Sequence, residues 1–325
     1  TRQAMAEVLQ LEDMDLETVN AAFAELKTIL QNPDPAVELD IANSIWARQG
    51  LPFKEEFLDR NREFYQAAVE ELDFDHPEAA STINDWVSER TRGKIEQIVD
   101  DEIDPQTVMF LINAIYFNGQ WGREFDPQDT RDETFFTADG TELTHPFMHQ
   151  SDTYRHCETD DFQAVSLPYG ESERINMYIF LPAEHSSLEE FIDGLDAQTW
   201  AGYLASFAEA EGDIALPRFT FEYEAALKEV LNAMGMEVAF DPARADFGAM
   251  YPITPGQNLY IEEVKHKTFI DVNERGTEAA AVTSVEIRME SYVEKFQLQA
   301  NRPFFFAICD DLTDTILFMG SVHTP

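Results

Sequence analysis

The first third of the chain alternates helix-like periodicity with proline breaks. Apolar residues recur at three- and four-residue steps and share one helical face: Leu16, Val19, Phe23, Leu26 and Leu30. Pro33 ends that helix, and the run 37–46 favours a strand. Pro52 opens a second helix at a first-turn position, and His76-Pro77 precedes a third. This part of the chain is therefore predicted to be mainly helical.

The period changes after Pro105. The run 108–117 is almost continuously apolar, which predicts a strand buried on both faces. Further strands are predicted at 162–167, 175–181, 214–216, 259–264, 268–272, 304–309 and 316–319. A helix is predicted over 225–234, with Gly235 as its C-cap. Helices first and mixed strands later indicate an α+β fold, and no linker divides residues 1–325 into separate domains.

The charge balance is strongly acidic along the whole chain. Asp and Glu number 63 against 22 Lys and Arg, a net charge of −41. An apolar content of 44% excludes a disordered acidic chain, and the negative field disfavours nucleic acids and sulfated polyanions as partners. Salt near 1 M shortens the Debye length to about 3 Å and screens this self-repulsion. The composition therefore predicts a halophilic source.

Motifs for catalysis, metal binding and membrane insertion are missing from the sequence. There is no HExxH, no glycine-rich phosphate loop and no GxSxG elbow. Pro146 separates His145 from His149 and disfavours a helical metal site. The longest apolar run is about half a membrane span. We expect no enzyme activity, cofactor, metal or membrane contact. Cys157 and Cys309 are either two buried thiols or one long-range disulfide.

The segment 274–292 carries the most information. Its two alternating sets are Thr277, Ala279, Ala281, Thr283, Val285, Ile287 and Met289, and Glu278, Ala280, Val282, Ser284, Glu286, Arg288 and Glu290. The first set is small and apolar, while the second is largely polar, as in a strand with one face on a core. Alanine is a weak strand former, but it suits a segment that slides between existing strands. An ordinary surface strand or an Ala-rich helical turn remains the alternative.

This segment and its flanks resemble the serpin family. The run 110–121 reads Phe-Leu-Ile-Asn-Ala-Ile-Tyr-Phe-Asn-Gly-Gln-Trp, which is similar to a serpin strand and its following Gly-x-Trp. Further matching motifs follow in the family's order at 125–127, 134–136, 216–219, 227–231, 235–236, 246–250, 264–267, 273–281, 301–304 and 317–320. The resemblance covers essentially the whole chain, although the family's N-terminal helices are expected to be missing before Thr1.

The resemblance implies a fold and a mechanism. The fold is a large central mixed sheet with further sheets, surrounding helices and an exposed reactive-centre loop. A target serine protease attacks this loop and forms an acyl-enzyme. The cleaved loop then inserts into the central sheet and traps the protease. The alternative is a non-inhibitory serpin that acts as a binding, storage or chaperone-like module. A monomer located outside the cell or in its envelope is expected.

Residue roles follow from the same resemblance. The hinge comprises Glu274, Gly276, Thr277, Ala279, Ala280, Ala281 and Thr283. The scissile bond is expected at Glu290-Ser291, which suggests a glutamyl-specific protease. Arg288-Met289, for a trypsin-like enzyme, and Met289-Glu290, for a chymotrypsin- or elastase-like one, remain alternatives.

Three more residues match the region where the central sheet opens. Asn113 and His266 are expected to form a buried polar latch beneath the sheet. Breaking such a contact would leave polar groups unpaired, at a cost of about 1–3 kcal/mol. Trp121 is expected at the top of the sheet, where insertion begins.

Overall fold

The computed structural model describes residues 1–31, 33–253, 258–277 and 295–325. Its helices are α1 (Arg2–Val8), α2 (Leu16–Leu30), α3 (Glu55–Tyr65), α4 (Ala79–Arg90), α5 (Leu188–Asp193), α6 (Ala197–Ser206), α7 (Lys228–Leu231) and α8 (Glu237–Phe240). Its strands are β1 (Val37–Arg48), β2 (Ala68–Leu72), β3 (Met109–Gln120), β4 (Arg131–Phe136), β5 (Glu142–Glu158), β6 (Phe162–Tyr169), β7 (Ile175–Pro182), β8 (Ala208–Pro217), β9 (Phe219–Ala226), β10 (Lys265–Asn273), β11 (Gly276–Thr277), β12 (Phe296–Gln299), β13 (Phe304–Asp310) and β14 (Thr315–Val322).

These strands form two sheets. The six-stranded sheet has the order β2-β1-β3-β11-β10-β9. The eight-stranded sheet has the order β12-β8-β5-β6-β7-β13-β14, and β4 pairs with β5. By contacts the chain divides into two compact units: residues 1–31, 39–116 and 222–269 form the first, and 32–38, 117–221 and 270–325 form the second. The predicted α+β class is confirmed.

Helix α4 builds the main core of the first unit. Its Ile83 and Val87 are fully buried and pack in one cluster with Trp46 of β1 and with Ile112 and Ala114 of β3. Burying apolar side chains of this size contributes about 1.5–3 kcal/mol each. The alternation along β3 follows from this packing, because only every second residue can face α4.

The other face of β3 differs from the sequence prediction. Leu111 is 65% exposed and Asn113 is also exposed, whereas Ile112 and Ala114 are buried. The prediction of a strand buried on both faces is therefore wrong over this part of β3. An apolar run does not by itself show how many faces are covered.

The second unit has an aromatic core. Every residue of β7 is buried, and Phe180 of that strand packs against Phe191 of α5, Trp200 of α6 and Phe305 of β13. Such ring pairs add about 0.5–1.5 kcal/mol each beyond the area they bury. Helices α5 and α6 thus cover the middle of the eight-stranded sheet within this unit.

Both cysteines lie in this core as free, buried thiols. Cys157 is on β5 and Cys309 on β13, and β6 and β7 separate the two strands. Three inter-strand spacings exceed the Cα separation that a disulfide tolerates. Of the two alternatives that the sequence left open, two buried thiols or one disulfide, the structure therefore shows two free thiols. Burial raises the pKa of the Cys309 thiol to about 12.

One other element prediction is wrong: the run 259–264 is not a strand, and β10 begins only at Lys265. The helix predicted over 225–234 begins three residues later, at Lys228, because β9 extends to Ala226. Gly235, with a φ of 113°, breaks the helical backbone before α8, in agreement with its predicted C-cap position. No helix among the described residues is long and apolar enough to cross a membrane.

Candidate functional site

The segment singled out by the sequence begins as a strand of the six-stranded sheet. Gly276 and Thr277 form β11, which pairs antiparallel with β10 through Asn273 and Val272. On its other side β11 pairs antiparallel with β3, through Gln120 and Gly119. The start of the segment therefore lies between two strands and forms backbone ladders with both.

The turn from β10 into β11 is held by backbone hydrogen bonds. The Trp121 amide donates to the Arg275 carbonyl, and its indole N–H donates to the Asn273 carbonyl, both at 2.9 Å. The Phe125 amide donates to the Glu274 carbonyl at 2.8 Å. Three successive carbonyls of the turn are thus bound by the segment that follows β3.

Glu274 anchors the same turn through its side chain. The residue is only 5% exposed. Its Oε1 accepts hydrogen bonds from Arg218 Nε at 2.8 Å, from Arg218 Nη2 and from Thr130 Oγ1 at 2.5 Å. Burial alone would raise the pKa of Glu274, but these donors outweigh it and hold the pKa below its usual value. The carboxylate is therefore ionised at neutral pH.

Gly276 lies where no side chain fits. Its φ is 142°, and a Cβ built on it would lie 2.0 Å from the Gly119 carbonyl oxygen. A Cβ on Gly119 would in turn lie 2.7 Å from the Tyr169 ring. Both positions require glycine because two backbones and an aromatic ring meet here.

Thr277 is seated by a buried pair of hydroxyl groups. The residue is 3% exposed, and its Oγ1 lies 2.8 Å from the hydroxyl oxygen of Tyr169, which is fully buried. Trp121 stacks on the Tyr169 ring with centroids 4.5 Å apart. Burial raises the pKa of Tyr169, so the phenol stays protonated and can donate. The threonine side chain thus has a polar partner inside the sheet.

A cleft of about 1390 Å³ lies beside the turn within the second unit. Its lining includes Trp121 and Arg275 from the turn region and Gln297, Leu298 and Gln299 from β12. Arg275, in the turn before the sequence 278–294, and β12, after it, therefore line one cleft.

Comparisons with known proteins agree on one family. A family model described as Serpin (serine protease inhibitor) matches residues 1–325. An uncharacterized serpin-like protein of Thermococcus kodakarensis is 39% identical over 100% of this chain and 75% of its own length. The chain belongs to the serpin family.

Solved structures extend this similarity. The thermophilic serpin tengpin in its native state matches with a TM-score of 0.88 and 32% identity, over 99% of this chain and 82% of the other. Human thyroxine-binding globulin complexed with thyroxine matches with a TM-score of 0.85 and 27% identity, over 99% of this chain and 86% of the other. The serpin fold predicted from the sequence is confirmed.

The structure brings together only part of the predicted site. Glu274, Gly276, Thr277 and Trp121 meet at the turn, as described above. The remaining hinge and scissile-bond candidates are outside the described residues: Ala279, Ala280, Ala281, Thr283, Arg288, Met289, Glu290 and Ser291.

The predicted buried contact between Asn113 and His266 is not formed in this serpin. Both residues are exposed, and Asn113 donates instead to Asn43 Oδ1 at 2.9 Å. The physical reason is that odd-numbered residues of β3 in the first unit lie on its uncovered face. The prediction of a buried latch is therefore wrong. Asn113 and His266 instead form an exposed polar row on β3 and β10.

Sequence reasoning missed three partners of the turn. Arg218 and Thr130 bind Glu274, and Tyr169 binds Thr277. Arg218 stands in the Leu-Pro-Arg-Phe motif 216–219, but that motif does not state which acid it meets. Tyr169 ends an apolar run and carries no local signal for a hydrogen-bonding role.

We expect Glu274→Gln to destabilise the protein by about 1–3 kcal/mol at pH 7, since Arg218 and Thr130 would face a weaker, neutral partner. The lowered pKa of Glu274 means that its contribution is present above its unfolded pKa and is lost as pH falls through the folded pKa. Denaturant unfolding of wild type and variant at pH 7 and at pH 3 measures both effects.

The matched control is Glu96→Gln, the same change at an exposed glutamate. It should change the free energy of unfolding by less than about 0.5 kcal/mol. An equal loss in both variants would contradict the anchoring role of Glu274. So would a difference between Glu274→Gln and wild type that does not shrink at acid pH.

Proposed function

We propose that this serpin inhibits serine proteases by inserting its cleaved loop between β3 and β10. One observation carries the proposal: Gly276 and Thr277 already occupy that position and pair with both strands. The loop therefore needs no new docking step to begin insertion. Extension of β11 by further residues is strand addition to an existing sheet.

The register of β11 defines where each following residue would lie. Thr277 pairs with Gly119 of β3 and Val272 of β10, and both pairings are antiparallel. Each further residue therefore moves one position back along each strand. On β3 the inserted strand would end with Ile287 opposite Met109, the first residue of β3. This leaves 288–290 as a short tether to the proposed scissile bond, Glu290-Ser291.

The same register gives a role to the exposed polar row. Thr283 would lie between Asn113 of β3 and His266 of β10, on the face of the sheet that Thr277 shares. All three side chains can form hydrogen bonds. Asn113 and His266 are therefore proposed as partners of the inserted loop rather than as a latch in the uninserted state.

The loop composition favours insertion over a purely structural role. Residues 276–283 are small or of moderate size and contain no proline, so every residue can donate to a ladder. Ala279 and Ala281 would follow Thr277 on a face where Tyr169 and Trp121 leave little room. In this mechanism the serpin supplies the bond that the protease attacks, the hinge and the inserting strand, and the protease supplies the catalytic groups.

The second candidate is a non-inhibitory serpin that acts as a binding, storage or chaperone-like module. The similarity to thyroxine-binding globulin favours it, since that serpin was solved with thyroxine. The small residues at 276–283 favour inhibition instead. Cleavage of the loop without trapping of the protease would decide for the second candidate.

Mixing the protein with glutamyl-specific, trypsin-like and elastase-like serine proteases in about molar salt tests the proposal. We expect a covalent complex that survives SDS with at least one of them, because the acyl-enzyme is trapped. Mass spectrometry of the released C-terminal peptide then identifies the scissile bond among the three candidates.

Thr277→Arg should convert the inhibitor into a substrate, because a guanidinium cannot replace a buried threonine beside Tyr169. The complex band should fall at least tenfold while loop cleavage continues. Thr277→Ser keeps the hydroxyl group and is the matched control with near-normal complex formation. Unchanged inhibition by Thr277→Arg would refute the insertion mechanism.

We also propose that the protein works in high salt and outside the cytoplasm. The charge of −41 supports the first point, because screening removes self-repulsion. The melting temperature should rise steadily from 0.1 to 2 M KCl. Sucrose of equal osmolality is the control, since it stabilises folds without screening charge. An equal rise in both series, or none in KCl, would contradict adaptation to salt.

A further inference from the structure

Strand β12 is a short edge strand that holds the C-terminal end of the loop. It has four residues, Phe296–Gln299, and begins directly after Lys295. Among the described strands it pairs only with β8, in parallel, from Phe296 opposite Gly212 to Gln299 opposite Ala215, and it stands first in the sheet order. A ladder of four residue pairs is short, so the side chains of β12 must contribute much of the free energy that holds the strand in the sheet.

Phe296 occupies a seat made by three residues of β5 and β8. Its ring stacks on the imidazole of His156 with centroids 3.9 Å apart and planes 11° apart. Tyr154 meets it edge-on at 6.1 Å. Below the ring lies Gly212, where a Cβ would come within 2.2 Å of the Phe296 ring. The seat thus fits a flat ring between an imidazole and bare backbone.

His156 forms one side of this seat, and its imidazole can take up a proton. Its Nε2 is buried and has no hydrogen-bond partner among the described residues. A protonated imidazole donates from both nitrogens, so Nε2–H would then be a buried donor without an acceptor. Burial lowers the pKa of His156, and the nearby Glu158 carboxylate only partly opposes this.

The charged groups around this seat do not rescue the protonated form. Besides Glu158, β5 carries Asp152, which lies opposite Gly212 and pairs with Arg123. Lys295, next to Phe296, pairs with Asp213 of β8 at 3.7 Å, and β6 places the uncharged Val165 opposite His156. The register places Ala208 of β8, which carries no charge, opposite His156. Protonation of His156 is therefore disfavoured, because the side of its ring that faces Phe296 is shielded from water.

The other face of β12 is held by a carboxylate. Gln299 Nε2 donates to Glu133 Oε2 at 2.6 Å. Glu133 Oε1 accepts from Arg131 Nε at 2.7 Å and lies 3.1 Å from His149 Nε2. Glu133 lies close enough to balance a charge on His149, whereas His156 has no carboxylate at its Nε2. The Phe296 seat is therefore the part of the attachment that acid affects most.

We propose that proton uptake by His156 at mildly acidic pH unseats Phe296 and frees β12 from the sheet. Since the closed seat binds the proton less well than the open one, acid shifts the equilibrium toward the open strand. For one proton the shift is at most about tenfold per pH unit. The consequence for inhibition rests on the proposed function: a loop with a free C-terminal end presents its bait less rigidly.

Hydrogen exchange of the whole protein in molar KCl at pH 7.5 and pH 5.5, corrected for intrinsic rates, tests the proposal. We expect the protection of residues 296–299 to fall at least fivefold at pH 5.5, while buried β13 keeps its protection. In His156→Phe, which keeps an aromatic stack but cannot titrate, the fall should disappear. His185→Phe, the same change at a side chain that is 69% exposed, should behave as wild type.

Two outcomes would overturn the proposal: no loss of protection in the wild type, or an equal loss in His156→Phe. If His156→Phe does not fold, NMR titration of the His156 imidazole in the wild type decides. A pKa at or above about 6.5 would refute the proposal. Because exchange needs no protease, a failure to inhibit any protease would refute the proposed function and leave this test unaffected.

Discussion

Gly276 lies so close to the Gly119 carbonyl that a side chain on Gly276 would force β11 and β3 apart, while a side chain on Gly119 would meet the Tyr169 and Phe117 rings. This contact allows the loop to begin inside the six-stranded sheet. Thr277 can then reach the Tyr169 hydroxyl, and Trp121 and Phe125 can bind the carbonyls of the turn. Glu274 and Arg218 hold the turn in this position. Insertion, inhibition and the role of the polar row on β3 and β10 all depend on that starting point.

The two ends of the loop are held by different physical interactions. The N-terminal end is fixed by a buried carboxylate with charged and neutral donors, and by backbone ladders on both sides. The C-terminal end is fixed by a parallel ladder with β8, by the hydrogen bond from Gln299 to Glu133 and by the stack of Phe296 on His156. In the first arrangement the contribution of Glu274 is lost as pH falls through its lowered pKa, whereas the backbone ladders do not titrate. The second contains a histidine and responds nearer to neutral pH.

The sequence predicted much of this fold where a pattern had a local cause. Helix α2 and strands β1 and β7 follow from periodicity and proline breaks. Helices α5 and α6 were missed, although each begins with a capping box, at Ser187 and at Asp196. The long strand β5 was also missed because its polar and apolar residues alternate irregularly.

The site was predicted through family resemblance, residue by residue, and its partners were not. Nothing local in the sequence pairs Arg218 with Glu274, or Tyr169 with Thr277, because these contacts join distant segments. The burial of Asn113 was predicted wrongly for a related reason. An apolar strand does not reveal whether one or both of its faces are covered by other elements, and here Leu111 and Asn113 are exposed.

The central claim is that the position between β3 and β10 accepts the rest of the loop. Limited cleavage within 278–294 by a protease that is not trapped, followed by thermal unfolding of the cleaved protein, tests it most directly. Insertion adds two backbone ladders and should raise the melting temperature well above that of the intact protein. It should also protect the amides of β3 and β10 from exchange. A melting temperature that stays the same or falls after cleavage would contradict insertion.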